Sequence, residues 1–249
     1  MPTPVALQLW SVREDCANDL SGTLAAVAQM GYEGVEFAGY HGAAATQLAR
    51  TLSDLGLRSP STHAGWATLQ PDTIQETILY HETLGCPLLI VPGIPSEMRA
   101  TKDACLETAD KFTSILEHLR ADGLGCGYHC HEADMRPLPT GERPWDVIAQ
   151  NTPDDFVLQY DTANGMSGGV SAVQPILDYP GRGQSLHVKE HAAPEVGAVI
   201  GEGEVPWREV LAAATDAQWL VVEHEQYGTR TPLEGVELCL KALRALQGP

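Results

Sequence analysis

The sequence is short of positive charge: 15 Lys and Arg stand against 33 Asp and Glu, a formal net charge of -18. The basic residues nowhere form a run, so the chain as a whole repels the phosphate backbone on which nucleic-acid affinity rests, and no nucleic-acid partner is expected. Long apolar runs are also missing. None reaches the length that spans a bilayer, so no membrane function is expected. The first residues lack the positive n-region of a secretory leader, and their apolar stretch soon meets Arg13, Glu14 and Asp15, which makes the expected location cytoplasmic. The six cysteines are scattered without a CxxC pair, which argues against a structural zinc site or a thiol redox motif. They are expected to be reduced core residues.

A hydrophobic fraction of 43%, with 24 Gly, 17 Pro and only 19% charged residues, describes a folded, turn-rich chain. Its 249 residues match one complete (β/α)8 barrel, although two ordinary domains would also fit. Alternation decides between these. Short apolar runs at residues 5–10, 34–37, 58–62, 87–91, 125–129, 156–160, 184–188 and 219–222 each precede a segment of helical composition. That is the pattern of a parallel sheet with crossover helices. Helices are expected over 19–30, up to 55, 72–84, 102–121, 145–150, 170–177, 205–214 and 232–246, with Gly31 and Gly56 as stop signals. No low-complexity linker interrupts the series, so one domain over residues 1–249 is the economical organisation. A doubly wound open sheet could be built from the same elements; the count of eight units and the residues at the strand ends favour the expected fold class, α/β, a single (β/α)8 TIM barrel.

In such a barrel the residues just past each strand converge on one mouth. Polar residues collect there: Gln8, Glu36, His63, His129, His131, Asp134, Asp161, His187, Lys189, Glu223 and Glu225. Most of them close an apolar run, as in Val157-Leu158-Gln159-Tyr160-Asp161 and Leu220-Val221-Val222-Glu223, where core packing does not explain a charge. Carboxylates and neutral imidazoles converging from different strands suit one divalent metal ion: Mn, Zn, Co or Mg. Asp161, His187 and Glu223 are the first three ligands expected. A lone strand-end His or Asp reads equally well as a hydrogen-bonded terminus; four successive strands ending this way do not. After the fifth strand, Tyr128-His129-Cys130-His131-Glu132-Ala133-Asp134 offers several donors. His129 and His131 share a direction if the strand runs that far, one for metal and the other for protons. Lys189 follows His187 by two residues and is a candidate for stabilising a developing oxyanion, or for an ion pair with a strand-end carboxylate. Trp10, Tyr40, His41 and Trp66 are candidates for lining a sugar pocket.

Several segments resemble the sugar phosphate isomerase/epimerase family, the xylose isomerase-like TIM barrels. They are Leu7-Gln8-Leu9-Trp10-Ser11-Val12-Arg13, the run from Gly31 to Tyr40, Tyr128-His129-Cys130-His131, Tyr179-Pro180-Gly181-Arg182, Leu186-His187-Val188-Lys189-Glu190, Gly201-Glu202-Gly203 and Val221-Val222-Glu223-His224. Their order and spacing carry the resemblance over nearly the whole chain. It implies metal ligands at Asp134, Asp161, His187 and Glu223. Cys130 stands where relatives often have Asn, Asp134 where they have Glu, and Glu190 and Glu225 where Asp is usual. If the shorter Asp134 does not reach, His129 or His131 completes the set. The implied chemistry is proton transfer beside a carbonyl in a carbohydrate, through an enediolate, by an isomerase or epimerase. Glu223 and either Asp134 or His131 are the expected bases, Lys189 a further catalytic group, and Glu36, His63 and His129 the substrate-binding residues. The rival activities are a keto-cyclitol dehydratase, a phosphodiesterase of the DNA-repair kind, which the net charge disfavours, and a sugar-binding barrel without catalysis. Barrels of this type often pair, so a homodimer is compatible with the resemblance.

Overall fold

Buried on both faces, the strands of a parallel barrel need near-continuous apolar runs, and the runs of this sequence supply them. In a computed structural model describing residues 2–248, they form β1 (Val5–Gln8), β2 (Gly34–Glu36), β3 (Thr62–His63), β4 (Leu88–Val91), β5 (Gly125–His129), β6 (Val157–Gln159), β7 (Ser185–Val188) and β8 (Trp219–Val222). Two four-stranded parallel ladders, β2-β1-β8-β7 and β3-β4-β5-β6, result. Single parallel bridges join them: Gly34 to Arg58 and Phe37 to Thr62 on one side, Asp161 to His187 on the other. The closed ring is the expected TIM barrel. All six cysteines are buried free thiols, and among the described residues no helix is long and apolar enough to cross a membrane.

The helices are α1 (Arg13–Met30), α2 (Ala45–Leu55), α3 (Ile74–Leu84), α4 (Lys102–Arg120), α5 (Glu132–Met135), α6 (Pro144–Gln150), α7 (Thr162–Ser167), α8 (Gln174–Asp178), α9 (Trp207–Ala213) and α10 (Pro232–Gln247). Gly31 and Gly56 end α1 and α2 in the left-handed region, at φ 99° and 69°. Three expectations need correction. The helix expected from residue 19 begins at Arg13, and Asp19 breaks its regularity (φ -154°, ψ 87°) while its Oδ1 accepts from Gly22 N at 2.9 Å. Asp19 therefore caps the second half, which is why the sequence signal lay there. The helix expected over 170–177 is the shorter α8, Gln174–Asp178, and a further short helix that was not expected, α7, precedes it and ends at Gly168 and Gly169, the latter at φ 84°. The third strand, expected over 58–62, is paired only at Thr62–His63. Pro60 has no N–H to give to a ladder, so Arg58 forms an isolated bridge and its guanidinium lies 4.4 Å from the Trp219 ring centroid.

One glycine is required by close approach inside the barrel. A Cβ on Gly127 of β5 would lie 2.6 Å from the Val157 carbonyl oxygen and 2.5 Å from Ile90 Cδ1. Gly127→Ala is expected to lower stability by about 1–3 kcal/mol through overpacking, measured as a drop in the urea midpoint.

Candidate active site at the barrel mouth

Glu36, the last residue of β2, is fully buried and collects donors from around the ring. Gln8 Nε2 donates to its Oε1 at 2.7 Å, Gln159 Nε2 to its Oε2 at 2.7 Å, and the Ser61 hydroxyl also donates to Oε2. His187 Nε2 lies 2.7 Å and His63 Nε2 3.1 Å from its Oε1. Gln159 has a second consequence. A carboxylate only accepts, so the amide nitrogen must face Glu36, and Gln159 Oε1 must accept. It does so from His129 Nδ1 at 3.0 Å and from His63 Nε2 at 2.9 Å. With its proton on Nδ1, His129 carries its lone pair on Nε2, which accepts from the Asn164 amide at 3.4 Å.

Above Glu36, His187 Nδ1 meets Glu223 Oε2 at 2.7 Å and faces Asp161 Oδ2 at 3.8 Å. Asp161 Oδ1 caps α7 by accepting from Asn164 N at 2.7 Å, whereas its Oδ2 is buried with no hydrogen-bond partner. One donor atom from each of His129, Asp161, His187 and Glu223 lies within 4.8 Å of the others. Glu223 Oε1 accepts from Lys189 Nζ at 3.1 Å; Lys189 also pairs with Glu225, whose Oε1 accepts from Trp10 Nε1 at 2.9 Å.

Burial disfavours the charge on each of these groups, and the neighbours decide the outcome. Burial raises the Glu36 carboxyl, but His63 and His187 outweigh it and hold it well below the usual range. The same happens at Glu223, where Lys189 and His187 prevail. Burial lowers His187, yet Glu36 and Glu223 push it up to about 10. At Asp161 burial prevails over the pull of Lys189, and the carboxyl rises to about 6. Burial, reinforced by the His187 and His63 rings, keeps His129 neutral. The arrangement is rich in oxygen donors, holds a neutral imidazole whose Nε2 carries a lone pair, and contains one unpartnered buried carboxylate oxygen. That donor set fits a divalent cation.

The other expected site residues fall in different places. Asp134 is fully buried but stands outside this set. Tyr128 Oη donates to its Oδ1 at 2.7 Å, His131 N to its Oδ2 at 2.8 Å, and Arg99 Nε lies 3.5 Å away. Its carboxylate ties α5 to β5, so the structure does not bring the expected ligand or base at this position together with the other donors. His131 begins the turn into α5, after β5 has ended at His129, so the two do not continue one alternation. Its ring instead lines the mouth, a cavity of about 630 Å³ shared with Trp10, His63, His129, Glu223 and Glu225. Lys189 is held between two carboxylates and does not line that cavity, so its ammonium is engaged rather than free to meet an oxyanion. Trp66 packs edge-on against Phe112 and His41 is exposed in a turn at φ 50°; neither lines the mouth. Gln159 and Ser61 were not among the expected residues. The signal for Gln159 was present, since period-two alternation puts it on the face of Asp161.

The model of the xylose isomerase-like TIM barrel family matches residues 24–246. No curated protein matches the chain in sequence. Among solved structures, two proteins from Parabacteroides distasonis described as sugar phosphate isomerase/epimerase superpose with TM-score 0.84. One is 20% identical, over 100% of this chain and 96% of that one; the other is 23% identical, over 96% of each. The zinc-bound IOLI protein superposes with TM-score 0.77 at 14% identity, over 99% of this chain and 98% of that one. At these identities the superpositions establish the fold, and the family match adds the lineage. The chain belongs to the xylose isomerase-like TIM barrel family.

Proposed function

We propose that this protein is a divalent-metal-dependent isomerase or epimerase of a neutral keto-sugar, with the metal held by His129, Asp161, His187 and Glu223. The observation that carries this is Asp161 Oδ2, buried without a partner and directed toward His187 and Glu223. A buried carboxylate oxygen left unpaired is costly, and a cation shared with three neighbouring donors removes that cost. The bound metal would supply Lewis acidity toward a carbonyl and an adjacent hydroxyl.

The protein's own groups account for the rest. Glu36 accepts from His187 Nε2 and so directs Nδ1 at the metal position. Gln159 does the same for His129 by holding its Nδ1. Lys189 keeps Glu223 ionised, ready to take a proton from the carbon beside the carbonyl. His131, which lines the same cavity, is the second proton-carrying group in place of Asp134. His63 lines the cavity and is positioned to meet a substrate hydroxyl, while Glu36 acts through it from beneath. Trp10, at 45% exposure and with its indole N–H fixed by Glu225, offers a ring face at the rim.

The test is solvent exchange. Metal-loaded protein incubated with keto-sugars and inososes in deuterated water is expected to incorporate deuterium at the carbon beside the carbonyl. Binding without exchange would instead mark a sugar-binding barrel. Metal addition is also expected to raise the melting temperature, with about 2.7 kcal/mol of stabilisation at a hundredfold excess over the dissociation constant. A chelator should reverse both effects.

A further inference from the structure

We propose that the mouth continues into a second sugar-binding subsite, so that the substrate is a keto-sugar carrying another sugar ring through a glycosidic bond. This rests on the keto-sugar function proposed above and extends it to a substrate class. A cavity of about 410 Å³ adjoins the mouth, bounded by the segments that follow β2 and β3 and by α3. The two cavities share Gly39, His63 and Gly65. A Cβ on Gly39 or Gly65 would meet no atom within 4 Å, so both glycines border open space where the cavities adjoin. His63 marks the boundary, its Nε2 held by Gln159 and Glu36.

The far wall is aromatic and fixed. Tyr40 and Tyr80 lie with ring centroids 4.3 Å apart at 32°. Tyr40 Oη is 2.7 Å from Nε2 of buried His81 and 2.9 Å from Thr62 Oγ1, and Tyr80 Oη donates to the Ala43 carbonyl at 2.7 Å. Both phenols are anchored at their polar ends, so the rings are in position before any ligand arrives. Aromatic surface of this kind receives the apolar C–H face of a sugar ring. Glu76 at the rim adds an acceptor for hydroxyl groups. Charge selects further. Among the described residues no Lys or Arg lines either cavity, whereas Glu76, Glu223 and Glu225 do. A neutral second ring therefore fits, and a phosphate does not. Each cavity falls within the roughly 300–1,000 Å³ of small-molecule sites, and a single hexose placed in the mouth would leave the second one unfilled.

The experiment is titration calorimetry of the manganese-loaded, full-length protein. The probes are D-fructose and three disaccharides that carry glucose on its O3, O4 or O6: turanose, maltulose and isomaltulose. At least one disaccharide is expected to bind about tenfold or more tightly than D-fructose. Two variants should collapse that ratio. Tyr80→Ala removes part of the wall. Gly65→Leu places a side chain in the opening at a backbone position (φ -62°) that any residue adopts; an unchanged melting temperature would show that it folds. If D-fructose binds as tightly as every disaccharide, or if neither variant alters the ratio, the second subsite is overturned while the keto-sugar function stands. If none of the four sugars binds, the keto-sugar function falls and takes this extension with it.

Discussion

Glu223→Gln is expected to lower the rate of proton exchange beside the substrate carbonyl by at least about 10³-fold, near the upper part of the range for a single acid–base group. The substitution keeps shape and hydrogen-bonding capacity but removes the charge that two neighbours use. Glu223 faces His187 Nδ1 and Lys189 Nζ, and it lines the mouth. An amide there is a poorer metal ligand, cannot take a proton and no longer neutralises Lys189. The result is read from solvent-deuterium incorporation. Metal content measured alongside separates loss of the base from loss of the metal: full occupancy with little exchange isolates the proton-transfer role.

The second large effect is a contrast between two neighbours. Asp134→Ala is expected to lower stability by roughly 2–6 kcal/mol, at about one to three for each of the two donors left unpaired, while metal binding persists. The reason is its position. Tyr128 Oη is buried and His131 N opens α5, and both donate to that carboxylate. His129→Ala is expected to do the opposite, with a smaller change in denaturation midpoint and loss of metal affinity, because His129 belongs to the donor cluster. Denaturant unfolding paired with metal titration distinguishes the two. Loss of metal in Asp134→Ala, with stability retained, would return the acidic residue after β5 to the ligand set.

The barrel was legible in the sequence because every strand is buried on both faces and so must be apolar along its length. Its failures came where a local rule interrupted the run. Pro60 shortened β3 by withholding a donor, and α7, closed by Gly168 and Gly169, forms before the helix expected after β6. Of the candidate cluster, Asp161 and Glu223 were readable in the same way, as charges that follow an apolar strand, and His187 as a polar residue inside the apolar run of β7. The site was illegible at Asp134, because three residues of spacing from His131 also let a carboxylate fold back onto the start of its own short helix. It was illegible again at Gln159 and Ser61, whose importance lies in what they hold: Gln159 sets the His129 tautomer and Ser61 binds Glu36. Neither carries a charge that would draw notice in one dimension.

The central claim is a metal bound by His129, Asp161, His187 and Glu223, and elemental analysis of protein purified without an affinity tag tests it most directly. Wild type is expected to carry close to one divalent ion per chain, Mn, Zn, Co or Mg, and Asp161→Ala and Glu223→Ala to carry almost none while remaining folded. Wild-type protein that takes up no metal under any loading condition, or an Asp161→Ala variant that retains it in full, would contradict the account.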